Sequence, residues 1–316
     1  MAYQMKIGFW LFLLLFILTS SLYLTGCSSD DSAADDDGAI NPPSTSNPRL
    51  VFNSRRSGEA QLYSMLLNGD DVQQITSTGS TFGASNQDAT LVAYDSFRSS
   101  QQDIFVANYD GTGEVQLTND TFSDFRPVFS PIGNRIAFVS TRGGADNTSI
   151  YRNIWLIDSD GMNLSQLTTA SGSDTFPVFS HDGQKVFFVS YRSGNTQVYS
   201  VNIDGTGEVN LSNNASEDGT PFADPSGNHI LFVSNRTGEY EFWTMANDGS
   251  SQSQLLTIAG NEFFPSYTAD GKQIIYFSDV EGYRRIYIVD VSGGSEPVGL
   301  TSDMEGSFKT GTLIAP

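Results

Sequence analysis

Beyond position 50 the apolar residues fall in short runs that recur at a steady spacing. Ile136-Ala137-Phe138-Val139, Val186-Phe187-Phe188-Val189 and Ile274-Ile275-Tyr276-Phe277 are uninterrupted apolar stretches. They are too short for helices and rich in β-branched and aromatic residues, so they predict strands covered on both faces. Ile154-Trp155-Leu156-Ile157 and Ile286-Tyr287-Ile288-Val289 predict the strands that come next. After such strands stand Asp110-Gly111, Asp160-Gly161, Asp204-Gly205 and Asp248-Gly249, which suit tight hairpins because Gly accepts φ > 0.

The runs belong to a repeat. A Ser-x-Arg-x-Gly-like turn follows an apolar strand at Ser54-Arg55-Arg56-Ser57-Gly58, Ser140-Thr141-Arg142-Gly143-Gly144, Ser190-Tyr191-Arg192-Ser193-Gly194 and Ser234-Asn235-Arg236-Thr237-Gly238. Degenerate copies stand at Ser96-Phe97-Arg98 and Ser278-Asp279-Val280-Glu281-Gly282. Each unit closes on Leu-Thr or a relative, at Thr76, Thr118, Thr168, Ser212, Thr257 and Thr301, in steps of 42, 50, 44, 45 and 44 residues. The step of 50 reflects an insertion in unit three, Gly143 to Asn153. A third element, Ser130-Pro131-Ile132-Gly133, Ser180-His181-Asp182-Gly183, Asp224-Pro225-Ser226-Gly227 and Thr268-Ala269-Asp270-Gly271, precedes the second strand. One repeat is therefore four short antiparallel strands. A lone four-stranded sheet leaves both faces bare, whereas blades set in a ring cover one another. The expectation is an all-β, six-bladed β-propeller spanning residues 49–316. Unit one lacks a first strand, and Ser307 to Leu313 of the tail is expected to supply it and close the ring.

These motifs resemble the TolB-like propeller repeat, with its Pro-Asp-Gly turn, Ile-Ala-Phe strand, Asp-Gly hairpin and closing Leu-Thr. The resemblance covers residues 50 to about 301. It implies the fold and leaves the ligand open. TolB itself carries an α/β domain before its propeller, and here a short tether stands in that place.

The N-terminal segment follows a different logic. Lys6 precedes an apolar stretch from Phe9 to Leu18, and Leu24-Thr25-Gly26-Cys27 follows. This resembles the lipobox of bacterial lipoproteins, which implies a signal peptide over 1–26 and a lipid on the Cys27 thiol. Several acyl chains anchor stably where a single chain would be marginal. Residues 27–48 are Ser, Asp, Asn, Pro and Gly with almost nothing to bury, and read as a disordered acidic tether. Ser28 favours the outer membrane by analogy with enteric lipoproteins, and the propeller is then periplasmic or surface-exposed.

Composition narrows the function. The chain has 36 acidic and 16 basic residues, a formal charge of −20, which argues against nucleic acid or an anionic lipid surface as partner. One cysteine excludes an intrachain disulfide and a multi-cysteine metal site. Nucleophile-elbow, zinc-protease and phosphate-loop motifs are missing. Gly111-Thr112-Gly113 and Gly205-Thr206-Gly207 read as hairpin turns, and Asp158-x-Asp160-Gly161 reads as a hairpin before it reads as a calcium loop. The two histidines, His181 and His229, hold unlike repeat positions and are not expected to converge on a metal. The five motif arginines read as structural.

Two features mark one face as the place to bind a partner. In a four-stranded blade the second-to-third turns and the interblade loops share a face, and these are the variable ones. An acid stands three residues before the repeat proline in four units: Asp124, Asp174, Asp218 and Glu262, with Ser80 in unit two. Because the first strand lines the channel, these acids are expected to ring its mouth. They either accept loop N–H bonds or bind a cation, calcium included, or a basic group. No other cofactor is expected. Tyr191, Tyr240 and Tyr283 either make partner contacts or pack between blades. Three functions stay open: a protein- or peptide-binding scaffold, expected to be a monomer; a carbohydrate-active propeller of the lyase or lactonase type; and a glycan-binding surface lipoprotein.

Overall fold

A computed structural model describes residues 49–98, 100–143, 151–280, 285–301 and 311–314. Cys27, the 27–48 tether, Tyr283 and residues 144–150 of the unit-three insertion lie outside the described residues. The described strands form six sheets of four strands each. Second strands are Arg49–Ser54, Leu91–Ser96, Arg135–Ser140, Lys185–Ser190, His229–Ser234 and Gln273–Ser278. Third strands begin at Gln61, Asp103, Asn153, Gln197, Glu241 and Arg285, and fourth strands are mostly two residues long. First strands of blades two to six are Ser80–Ser85, Asp124–Phe129, Asp174–Phe179, Asp218–Ala223 and Glu262–Tyr267.

Blade one takes its first strand from the other end of the chain. Gly311–Ile314 runs antiparallel to Arg49–Ser54, with Arg49 opposite Ile314 and Phe52 opposite Gly311. The closure expected of the tail is present, and its described strand lies at 311–314 where 307–313 was expected. First strands of successive blades touch around the whole ring, Gly311–Ile314 meeting both Glu262–Tyr267 and Ser80–Ser85, so they form its inner wall.

The continuous apolar runs are second strands, and six buried clusters explain why they need no polar face. Each cluster joins two neighbouring blades. Leu50, Phe52 and Met65 of blade one meet Ile275, Phe277 and Ile286 of blade six, and Val186 and Phe188 of blade four meet Ala137 and Ile154 of blade three. Burying both faces of every sheet is the main driving force for ring assembly. The Asp-Gly hairpins let blades nest. Gly111 has φ 81°, and a Cβ there would lie 2.2 Å from the carbonyl oxygen of Ile75 in the preceding blade, so only Gly fits.

Four first strands carry the same irregularity. Their pairing with the second strand shifts between Phe125 and Val128, Thr175 and Val178, Gly219 and Phe222, and Phe263 and Ser266. Inside each shift one residue is left-handed: Arg126 (φ 58°), Phe176 (54°), Thr220 (44°) and Phe264 (52°). Each stands directly before the repeat proline, whose missing N–H costs least at a bulge. A left-handed non-glycine costs about 1 kcal/mol or more, so the sheet must hold it there.

Candidate functional site

The acids predicted at the channel mouth are all present at the start of their strands, and all four are buried. Asp124 pairs with Arg142, Asp174 with Arg192 at 2.8 Å, and Asp218 with Arg236 at 3.0 Å. Register explains the match. Each acid stands opposite the Ser of its own blade's Ser-x-Arg turn, for example Asp124 opposite Ser140, and the arginine two residues on folds back over it. The same arginines lie over the blade's aromatic pair: Arg142 over Phe138 and Trp155, Arg192 over Phe188 and Tyr199, Arg236 over Phe232 and Trp243. The motif arginines thus neutralise a buried carboxylate and cover two rings. Burial still outweighs the arginine charge at two of them. It pushes Asp124 up to about 6 and raises Asp174 above the usual carboxylate range.

Blades two and six depart from this plan in opposite ways. Blade two keeps Arg98 but has Ser80 in the acid's place, and Arg98 turns outward to Glu114 at 2.5 Å. Blade six keeps Glu262 but has Val280 in the arginine's place. Neither carboxyl oxygen of Glu262 has a hydrogen-bond partner. Burial, reinforced by the negative charges of Glu241, Asp279 and Glu239, pushes Glu262 up to about 9, so it is protonated at neutral pH.

The acids are thus held within their own blades. Three acids are turned into their own blades' arginines, and the fourth is shut away from solvent. Among the described residues no three of His, Cys, Asp and Glu come together in a way that could hold a metal ion. His181 and the Asp224–His229 contact, at 3.3 Å, lie at the first-to-second turns, on the opposite face from the Ser-x-Arg turns. Asp158 to Met162 is a hairpin closed by backbone bonds, with Asp160 accepting the Met162 N–H.

The channel itself is lined by residues that the sequence reading did not single out. The bulge aims the residue before each repeat proline inward, and all four stay partly exposed. Arg126 lies with its guanidinium carbon 3.7 Å from the ring centre of Phe176 in blade four and 4.1 Å from that of Phe82 in blade two. Phe176 in turn meets Phe264 of blade six at 5.6 Å. A row of side chains from four blades thus crosses the channel. Asp95 of blade two steadies it by accepting the backbone N–H of Arg126 at 3.2 Å and the side-chain amide of Gln102 at 2.7 Å.

Around this row, on the face of the Ser-x-Arg turns, stand Arg152, Tyr191, Glu217 and Tyr240. Arg152 lies over Phe125 at 5.3 Å, and Tyr240 meets Phe263 at 6.1 Å. Glu217 accepts the N–H of Thr196 at 2.9 Å. Burial raises the Tyr191 hydroxyl, the charge of Glu217 adds to this, and Arg126 and Arg152 oppose it. Desolvation pushes Arg126 down to about 9, with Asp95 opposing and the like charge of Arg152 contributing, and Arg126 stays charged at neutral pH. Tyr191 and Tyr240, suggested by the sequence as partner contacts or blade packing, are half-buried at this mouth. The usable signal was the dipeptide before each first-strand bend, Arg126-Pro127, Phe176-Pro177 and Phe264-Pro265: a bulky residue where a left-handed backbone is required.

The sequence pattern of the family described as TolB beta propeller domain matches residues 84–293. No curated protein sequence matches the chain. Among solved structures, TolB from Acinetobacter baumannii superposes with a TM-score of 0.70 at 17% identity, over 84% of this chain and 66% of that one. This chain therefore spans just under two thirds of that protein's length. A putative TolB from Agrobacterium tumefaciens gives 0.63 at 19% identity, over 82% and 90% of the two chains. An oligogalacturonate lyase from Vibrio parahaemolyticus gives 0.59 at 13% identity, over 81% and 75%. At these identities the likenesses to solved structures establish the fold.

Proposed function

This chain belongs to the TolB β-propeller family, and from that premise we propose that it is a lipid-anchored protein of the bacterial envelope that binds a partner protein or peptide. The binding surface is the face that carries the Ser-x-Arg turns and the interblade loops. The observation that carries this reading is the concentration there of partly exposed arginine and aromatic side chains, Arg126, Arg152, Phe176, Tyr191 and Tyr240. Aromatic and arginine residues dominate the energetics of protein interfaces, and three of the four acids that open the first strands are neutralised by arginines of their own blades. The anchor is Cys27 and the reach is the 27–48 tether, at most about 70 Å when fully stretched. Ser28 after the cysteine supports attachment to the outer membrane. Among the described residues no helix is long and apolar enough to cross a membrane. The carbohydrate-lyase alternative shares the fold, but His181 and His229 lie on the far face and lend it no support.

The test is site-specific photo-crosslinking in cells with the tether intact. A photoreactive residue at Tyr191 or Tyr240 is expected to trap a discrete envelope protein. The same residue at Ile132 or Met162, exposed on the opposite face, is expected to trap none. Equal trapping from both faces, or none from either, overturns the reading. Cys27→Ser is expected to leave an unprocessed or soluble form, and normal membrane fractionation of that variant would refute the anchor.

A further inference from the structure

We infer that Arg126 and Arg152 together form a receptor for a carboxylate presented by the partner, an Asp or Glu side chain or a chain terminus of an acidic peptide. This rests on the partner-binding reading above and names its chemistry.

In a chain with 36 acids and 16 basic residues, arginines readily find carboxylates. Among the described residues Arg49, Arg98, Arg135, Arg142, Arg192 and Arg236 each have one within ion-pair distance, whereas Arg126 and Arg152 at the channel mouth, like Arg55 and Arg56 in the turn of blade one, do not. The acids near them are committed elsewhere. Asp95 holds Gln102 and the Arg126 backbone, and Glu217 holds the Thr196 N–H. Arg152 is also close enough for its charge to disfavour that of Arg126, a repulsion that a bound anion relieves.

Geometry says how the anion enters. Rings of Phe82 and Phe176 lie against Arg126 from two neighbouring blades, at 4.1 and 3.7 Å. Contacts of this kind occupy the faces of a guanidinium and leave its edge, where the N–H donors lie, for a planar carboxylate. Arg152, fixed over Phe125, adds a second fork from the same mouth. The bulge that places Arg126 is left-handed at φ 58° and is pinned through its N–H by Asp95, so the donor is preorganised before any ligand arrives.

Two observations favour a peptide over an acidic glycan. The channel rings of Phe82, Phe176 and Phe264 are already engaged, with Arg126 or with each other, where a sugar ring would stack. A polyuronate also carries a charge on every residue, and Glu217 at the mouth together with a net charge of −20 repels it. A single carboxylate on an otherwise neutral peptide meets the two arginines without that penalty.

The experiment titrates arginine side-chain Nε–H resonances of the full chain with acetate, with the neutral-flanked peptide acetyl-Ala-Ala-Glu-Ala-Ala-amide, with its Gln analogue, and with trigalacturonate. Saturable shifts at Arg126 and Arg152 are expected with acetate and the Glu peptide and not with the Gln analogue. Arg126→Gln and Arg152→Gln are each expected to weaken the Glu peptide about tenfold to a hundredfold. Arg152→Gln keeps the test valid if replacing the left-handed Arg126 perturbs folding. No saturable shift with acetate and the Glu peptide overturns the inference, and tighter binding of trigalacturonate than of the Glu peptide overturns its assignment to a peptide. Crosslinks from Tyr191 and Tyr240 separate the two levels. Crosslinks that persist unchanged in Arg152→Gln leave partner binding standing and refute the carboxylate receptor. Loss of all crosslinking refutes partner binding, while the titration still decides the receptor.

Discussion

Blades three to five and blade six solve the same local problem differently. In the first group a buried aspartate at the start of the inner strand receives an arginine from its own turn, and that arginine also roofs two rings. In blade six the acid remains, the arginine position holds Val280, and Glu262 is left with no hydrogen-bond partner. The backbones agree closely. A Cβ on Gly172 would meet Arg192 at 2.9 Å, and a Cβ on Gly260 would meet Val280 at 2.9 Å, so the turn approaches its neighbour in the same way in both blades. With arginine at the turn position the carboxyl has a charged partner, and with valine there it has none. Desolvation sets the cost, and the arginine offsets it only where it is present.

The largest effect is expected from taking the arginine away where the acid depends on it. Arg192→Ala strands Asp174, which is fully buried, and removes the cover from Phe188 and Tyr199. A loss of about 3–5 kcal/mol is expected in denaturant unfolding at pH 7. A loss under 1 kcal/mol would mean that Asp174 finds another partner or takes up a proton at little cost.

Next in size is the pH dependence created by Glu262. Its folded value near 9 lies above its ordinary value of 4.5. Between those two pH values the unfolded chain holds fewer protons at this position than the native one, so stability falls as pH rises. Below about pH 4.5 both states are protonated and the effect disappears. Glu262→Gln removes the titration while keeping the shape. It is expected to match the parent at pH 4 and to exceed it by on the order of 2 kcal/mol already at pH 6. Parallel stability curves for the two proteins from pH 4 to 8 would show that Glu262 ionises normally.

Val280→Arg converts blade six into a copy of blade four. The new guanidinium is expected to reach Glu262, draw its proton off, and flatten the decline in stability between pH 5 and 8. The net gain at pH 8 is smaller, about 1 kcal/mol, because burying an ion pair regains only part of its desolvation cost. The double variant Glu262→Gln, Val280→Arg is expected to lose that gain. A gain that survives in the double variant would come from ring cover alone.

The ring was legible in the sequence because each blade repeats its own turn chemistry, and the missing first strand of blade one pointed to the tail. The acids were legible as a pattern, but their surroundings were not. Pairing Asp124 with Arg142 needs the register that sets Asp124 opposite Ser140, and that register is a property of the folded sheet. Placing the acids at the channel mouth followed from the first strand lining the channel, without regard to which way each side chain turns. The shift between Phe125 and Val128 breaks alternation, so Arg126 faces the channel and Asp124 faces its arginine. A bulge leaves little trace in a hydropathy pattern, and only the proline after Arg126, Phe176 and Phe264 marked it.

Blade two offers the smallest effect and the control that gives the comparison its meaning. It kept the arginine and lost the acid, the reverse of blade six. With Ser80 at the inner position, Arg98 turns outward, where two of its nitrogens reach Glu114 at 2.5 and 2.6 Å while its guanidinium lies 4.1 Å from the Phe105 ring centre. Both partners are partly exposed, with side-chain accessibilities of 28% and 36%, so water already stabilises each charge when the pair is broken. Arg98→Ala is expected to cost under about 1 kcal/mol, a cost that shrinks further in 1 M salt. Arg192→Ala also breaks a pair with the partly exposed Glu208, so a small part of its cost is expected to fall in 1 M salt, while the larger part stays because Asp174 lies beyond the reach of screening. The two variants carry the same substitution at the same repeat position and differ in whether a buried acid is left behind. If Arg98→Ala proves as damaging as Arg192→Ala, then ring cover holds the blades, and the buried carboxylates are incidental to it.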